Sequence, residues 1–118
     1  MRLHHAESAE ASEDKVRNYL LNPDHPANRG KAAGYALFGF YRLNWEAMRS
    51  ALIVHAGTAS VVKIVHTPLG MKYVADGMLE GVDGRRPWLR AVWEIKADGP
   101  TPRLVTAHLI PPPKERSA

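Results

Sequence analysis

Apolar residues recur at helical spacing in the first half of the chain and at strand spacing in the second. Val16, Tyr19 and Leu20 follow the i, i+3, i+4 pattern of a buried stripe. Ser12 precedes Glu13 and Asp14, so the spacing predicts a first helix capped by a hydroxyl, with two carboxylates at the positive end of its dipole. That helix has to stop by Asn22, because Pro23 pushes the residue before it out of the α region. A second helix is predicted from Gly30 or Lys31 to Phe38, ended by Gly39-Phe40. Asn44 is placed to cap a third, over about residues 45–56, with Trp45, Met48, Leu52 and Ala56 as its inner face and Gly57 as its stop.

After Gly57 the period changes from 3.6 to 2. Four strands are predicted: Ala59–His66, Met71–Leu79, Trp88–Lys96 and Arg103–Ile110. The segments between them, Thr67-Pro68-Leu69-Gly70, Gly81-Val82-Asp83-Gly84 and Asp98-Gly99-Pro100, are rich in turn formers and short enough for hairpins. The expected architecture is therefore an α+β domain, with about three N-terminal helices packed on a four-stranded antiparallel meander sheet. Residues 1–11 read as a disordered polar tail, 12–110 as one domain, and 111–118 as a Pro-rich basic tail opened by Pro111-Pro112-Pro113. Alternation gives the third strand an apolar face of Leu89, Ala91, Trp93 and Ile95. In the fourth it puts Leu104, Thr106, His108 and Ile110 on one face, with Thr106 and His108 roughly 7 Å apart.

Composition narrows the class. A chain of 118 residues is one domain with a single core, and an apolar fraction of 45% separates it from disordered sequences. No apolar run is long enough to span a bilayer and no signal peptide is evident, so the expectation is a cytoplasmic protein without a membrane partner. Cysteine is absent, which rules out disulfides and thiolate chemistry and fits a reducing compartment. Sixteen Lys and Arg against 12 Asp and Glu give a net charge of +4, which makes RNA an admissible partner. Six histidines raise the question of a metal. His25, His55, His66 and His108 fall on different elements with no His-x-x-x-His pair, so neither a metal nor a cofactor is expected. The glycine-rich and nucleophile-elbow motifs of dinucleotide, nucleotide-triphosphate and serine-hydrolase sites are missing.

The most distinctive segment is Tyr19-Leu20-Leu21-Asn22-Pro23-Asp24-His25-Pro26, followed shortly by Lys31. Two prolines break a helix around a histidine, and a lysine opens the next helix. This is a way to present an acid/base group and a fixed positive charge to one anionic ligand.

That run, with Lys31-Ala32, Gly39-Phe40, Gly70-x-Lys72-Tyr73, Gly77-x-Leu79-x-Gly81, Gly84-Arg85, Val92-Trp93 and Leu104-Val105-Thr106-Ala107, resembles a bacterial toxin-associated family, domain of unknown function 6883. The resemblance spans about residues 14–110. It implies a domain found beside small partner proteins or at the ends of large secreted toxins. More distantly, the layout is similar to the barnase, colicin and RelE-like class of metal-independent ribonucleases. Two positions depart from the family pattern. Asn28 stands where glycine is usual, which suggests a loop residue that tolerates positive φ. Gly34 stands where an aromatic is usual, which should loosen the second helix.

The chemistry this resemblance implies is phosphodiester cleavage by the neighbouring 2′-hydroxyl. His25 is then the acid or base, Lys31 the phosphate-binding cation and Thr106 a hydrogen-bond donor to phosphate. Tyr73, Arg86, His108 and Trp93 are further substrate-binding candidates, His108 as a second proton-transfer group. Each has a structural alternative. His25 can fasten the double-proline loop, Lys31 can be a solvated first-turn lysine, and Tyr73 and Trp93 can be core residues. Thr106 and His108 can be ordinary strand residues, and Arg86 the tip of a hairpin. Two functions follow: a toxin-like ribonuclease held by a small antitoxin or immunity protein, or a non-catalytic module that binds an anion or a partner protein.

Overall fold

The computed structural model describes residues 1–113; the distal part of the expected basic tail, residues 114–118, lies outside the described residues. The helices occupy residues 13–58 and the sheet follows them to Ile110. The first helix, α1, is an α-helical turn over Glu13–Lys15 that widens into a π-helix over Val16–Leu20. Ser12 caps it, its Oγ accepting from the Lys15 amide at 3.1 Å. Val16 and Leu20 are fully buried, whereas Tyr19 is half-buried at the rim of the core.

Helix α2 is short, Lys31–Ala36, and Gly39 at φ +88° turns the chain away from it. Helix α3 runs Trp45–Thr58, one residue past the expected glycine stop. Asn44 does not cap α3. Its side chain faces backwards, Oδ1 accepting from the Tyr41 amide at 2.7 Å and Nδ2 donating to the Gly39 carbonyl at 2.9 Å. Met48, Leu52, His55 and Ala56 form the buried stripe of α3.

The sheet is an antiparallel meander of β1 (Ser60–Thr67), β2 (Gly70–Met78), β3 (Trp88–Lys96) and β4 (Arg103–Ile110), in that spatial order. Its inner face carries Tyr73, Ala75, Leu89, Ala91, Trp93, Leu104 and Ala107, all buried beneath the helices. Burying this apolar layer is the main driving force for the fold.

Two expectations are corrected. The first concerns β4. Trp93 pairs with Leu104 and Val92 with Thr106, so Val105 is an extra residue, a β-bulge. Alternation is reset there: Leu104 and Ala107 both face the core, and Leu104 does not share a face with Thr106. Thr106 and His108 still share the opposite, outer face. The second concerns residues 1–11, which pack against the domain instead of fraying. Leu3 and Ala11 are buried, and the Val61 amide donates to the Met1 carbonyl at 2.7 Å. Glu10 pairs in parallel with Arg103, its carbonyl accepting from the Leu104 amide at 2.9 Å. Backbone pairing with the free edge of β4 offsets the polarity of this segment.

Candidate functional site

The site is built where the rim of α1, the double-proline loop and the edge strand β4 meet. From Leu21 to Gly30 the chain makes successive turns, with the His25 amide donating to Asn22 O, Asn28 to His25 O and Lys31 to Asn28 O, at 3.0–3.2 Å. Asn28 locks this loop. It is 1% exposed, its Nδ2 donates to the carbonyls of Tyr19 (2.7 Å) and Leu20 (2.9 Å), and its Oδ1 accepts from the Ala32 amide at 3.0 Å. One side chain therefore ties the end of α1 to the start of α2 and sets Tyr19 against Lys31. The residues with positive φ in this loop are Arg29 and Gly30, not Asn28 as expected. Asparagine is used for its hydrogen-bonding capacity and not for its backbone freedom.

Tyr19 is the hub. Its hydroxyl lies 2.8 Å from Thr106 Oγ1, joining residues 87 apart in sequence. The His25 ring is 5.0 Å from the Tyr19 ring, and the ammonium groups of Lys31 and Lys15 are 5.6 and 5.8 Å from it. Burial alone would raise the Tyr19 pKa, but the Thr106 hydrogen bond, Lys31 and Lys15 together hold it below the ordinary phenol value of 10.0. Tyr35 is the contrast. Sealed in the core, it donates to the Ala107 carbonyl at 2.5 Å, and burial pushes its phenol far above the usual range.

Beside this hub lies a cleft of about 220 Å³ lined by Arg29, Gly30, Lys31, Gly34, His108 and Leu109. A Cβ on Gly34 would lie 3.3 Å from a Leu109 methyl, so the glycine helps to keep the cleft open. His108 sits across β3 from Arg90, which holds Asp76 in a two-pronged ion pair at 2.8 Å per contact. Partial burial, Lys31 and Arg90 depress the His108 pKa below 6.5, with Asp76 opposing them, so the ring is neutral at pH 7. His25 accepts the Ala27 amide on Nδ1 at 3.0 Å, which leaves the proton of its neutral ring on Nε2.

Of the residues singled out from sequence, His25, Lys31 and Thr106 thus surround one tyrosine, and His108 shares the adjoining cleft with Lys31. Tyr73, Arg86 and Trp93 are elsewhere. Trp93 is wholly enclosed, its indole nitrogen without a partner among the described residues, and offers no face to a ligand. Tyr73 belongs to the inner face of the sheet, its hydroxyl 3.8 Å from Met71 Sδ. Arg86 lines a separate cleft with Asp76, Met78 and Trp88 that shares no residue with the Lys31 cleft. Tyr19 itself is the functional candidate that helical periodicity absorbed into the core stripe. The signal that could have flagged it is its place at the head of the Tyr-Leu-Leu-Asn-Pro run. Among the described residues no group of three or more His, Cys, Asp or Glu side chains is placed to hold a metal, and no helix is long and apolar enough to cross a membrane.

The family model described as Domain of unknown function (DUF6883) matches residues 2–111. The chain belongs to that family. Its match begins at Arg2, in keeping with the packed N-terminal segment. No curated protein matches the chain. Among solved structures, a chain of a contact-dependent growth inhibition toxin–immunity protein complex from Klebsiella pneumoniae 342 has a similar fold. The TM-score is 0.67 at 11% identity, over 88% of this chain and 95% of that one. At that identity the likeness is one of fold.

Proposed function

We propose that this DUF6883 domain is a toxin-like ribonuclease that cleaves RNA without a metal, by attack of the 2′-hydroxyl on the adjacent phosphorus. The observation that carries the reading is the convergence on Tyr19: a phenol with a lowered pKa, hydrogen-bonded to Thr106, flanked by lysines and set beside a cleft that holds a neutral histidine. His108 takes the 2′-hydroxyl proton as general base. Lys31 neutralises the charge that develops on the phosphorane and the Nε2–H of His25 donates to its oxygens, while the Thr106 hydroxyl donates to the Tyr19 oxygen and leaves the phenol proton free. Tyr19 gives its proton to the departing 5′-oxygen as the P–O5′ bond breaks, leaving a 2′,3′-cyclic phosphate. His25 thereby has a donor's part instead of the acid/base part expected from sequence, because its Nδ1 is engaged with Ala27.

The fold likeness to a chain of a toxin–immunity complex supports the toxin-like reading, and with it a small immunity-type partner. The test is incubation of the purified domain with total RNA in EDTA, alongside His108→Ala and Lys31→Ala variants checked for folding by circular dichroism. Degradation by the parent and about a hundredfold loss in each variant is expected. Intact RNA with the parent domain, or full activity in both variants, rejects the assignment. The non-catalytic module then becomes the better description.

A further inference from the structure

The Lys31 cleft is not the roomiest hollow among the described residues. A groove of about 680 Å³, some three times the cleft's volume, lies between the N-terminal segment, α3 and the ends of β2, β3 and β4. Five cations line it, Lys15, Arg49, Lys72, Lys96 and Arg103, against two carboxylates, Glu10 and Glu94. Glu10 approaches Arg103 at 3.8 Å, and Glu94 lies between Lys72 and Arg103 across the strands. Among the described residues Lys15, Arg49, Lys72 and Lys96 make no ion pair. Five cations against two carboxylates leave a surplus of three positive charges in one concavity too large for a single phosphate, which suits an extended polyanion.

The groove and the cleft each place a lysine near one aromatic ring, that of Tyr19. Lys15 lines the groove and sits 5.8 Å from the Tyr19 ring; Lys31 lines the cleft and sits 5.6 Å from the same ring. We propose that the groove is a binding track for single-stranded RNA that flanks the linkage held at Tyr19. The track takes several phosphates of one strand along Lys15, Arg49, Lys72, Lys96 and Arg103. In-line attack by a 2′-hydroxyl needs a backbone free of A-form geometry, so the strand is single. This deepens the ribonuclease reading and rests on it for the direction of the strand, but binding in the groove does not depend on cleavage.

The experiment uses the whole chain and two substrates. Fluorescence anisotropy follows an uncleavable 2′-O-methyl RNA of about twelve nucleotides, and a fluorogenic dinucleotide reports the chemistry alone. Lys72→Glu with Lys96→Glu should weaken binding of the longer strand at least about tenfold, and leave dinucleotide cleavage within about twofold of the parent. Lys72→Gln with Lys96→Gln, which avoids charge reversal should the first pair not fold, should flatten the slope of log affinity against log salt by about 1.4. Unchanged binding and slope in the glutamine pair overturn the track while leaving dinucleotide cleavage, and hence the ribonuclease reading, intact. Groove-dependent binding with the dinucleotide left uncut upholds the track and removes the ribonuclease. Displacement of the RNA by an equal concentration of polyglutamate of the same length assigns the groove to an acidic protein instead and overturns the proposal.

Discussion

Replacing Asn28 by alanine removes three side-chain hydrogen bonds at a position 1% exposed. The Tyr19 carbonyl keeps a second partner, the Asn22 amide at 3.3 Å, but the Ala32 amide lies in the first turn of α2, where no intrahelical acceptor exists. At about 1 kcal/mol for each bond, with burial keeping water from replacing them, the loss is about 3 kcal/mol. For 118 residues the unfolding entropy is about 0.25 kcal/mol/K, so the melting temperature should fall by about 12 °C. Asn22→Ala is the internal control. Its side chain makes two bonds, to the Asp24 amide at 3.0 Å and the Asn18 carbonyl at 3.3 Å, where solvent has access, and its loss should cost under about 1 kcal/mol. Differential scanning calorimetry on both variants measures the contrast. Equal and small shifts would refute the reasoning that burial of Asn28 makes it the fastener between Tyr19 and Lys31.

Three other outcomes are expected. If His108 is the base, activity rises with pH through a midpoint below 6.5; Arg90→Gln removes a repelling cation and frees Asp76, so the midpoint should move upward, and a downward shift in the pH–rate profile would count against the assignment. His55 is held neutral by burial, with Nε2 2.9 Å from the Leu89 carbonyl and Nδ1 without a partner among the described residues. Because its folded pKa lies below the unfolded value near 6.5, its contribution to stability is present above that pH and is lost as pH falls towards the folded value; His55→Gln should flatten this part of the acid-side melting curve. Gly34→Ala should stabilise the domain by about 0.5–1 kcal/mol, since a mid-helix glycine is replaced and only a flexible Leu109 methyl has to give way; a destabilised variant in urea titrations would show that the cleft cannot yield.

The strands were the most legible part of the sequence. Trp88–Lys96 and Arg103–Ile110 follow from alternation and from the turn formers that flank them, and β1 and β2 differ from expectation by one residue at each end. The bulge at Val105 was not legible, because it arises from pairing with β3, and a local pattern of apolar and polar residues does not record a register. The packed N-terminal segment was hidden for a similar reason. Leu3 and Ala11 are too sparse to show a period, and they are buried by contacts with residues far along the chain. In the candidate site, His25, Lys31, Thr106 and His108 were marked by residue type, yet Tyr19, which joins the first three, was assigned to the helix core. Its partner Thr106 lies 87 residues away, so only the folded chain brings the phenol and the hydroxyl together. Trp93 illustrates the opposite error: an aromatic that suits base stacking is, by its place on the inner face of β3, wholly core.

The most direct test of the Tyr19 site is cleavage of a DNA oligonucleotide that carries a single ribose, in EDTA, with mass spectrometry of the products. The parent domain should cut on the 3′ side of that ribose and leave a cyclic phosphate, with Tyr19→Phe slowed by about a hundredfold and melting within a few degrees of the parent. Cutting of the all-deoxy strand at the same rate, or an unslowed Tyr19→Phe, would contradict it.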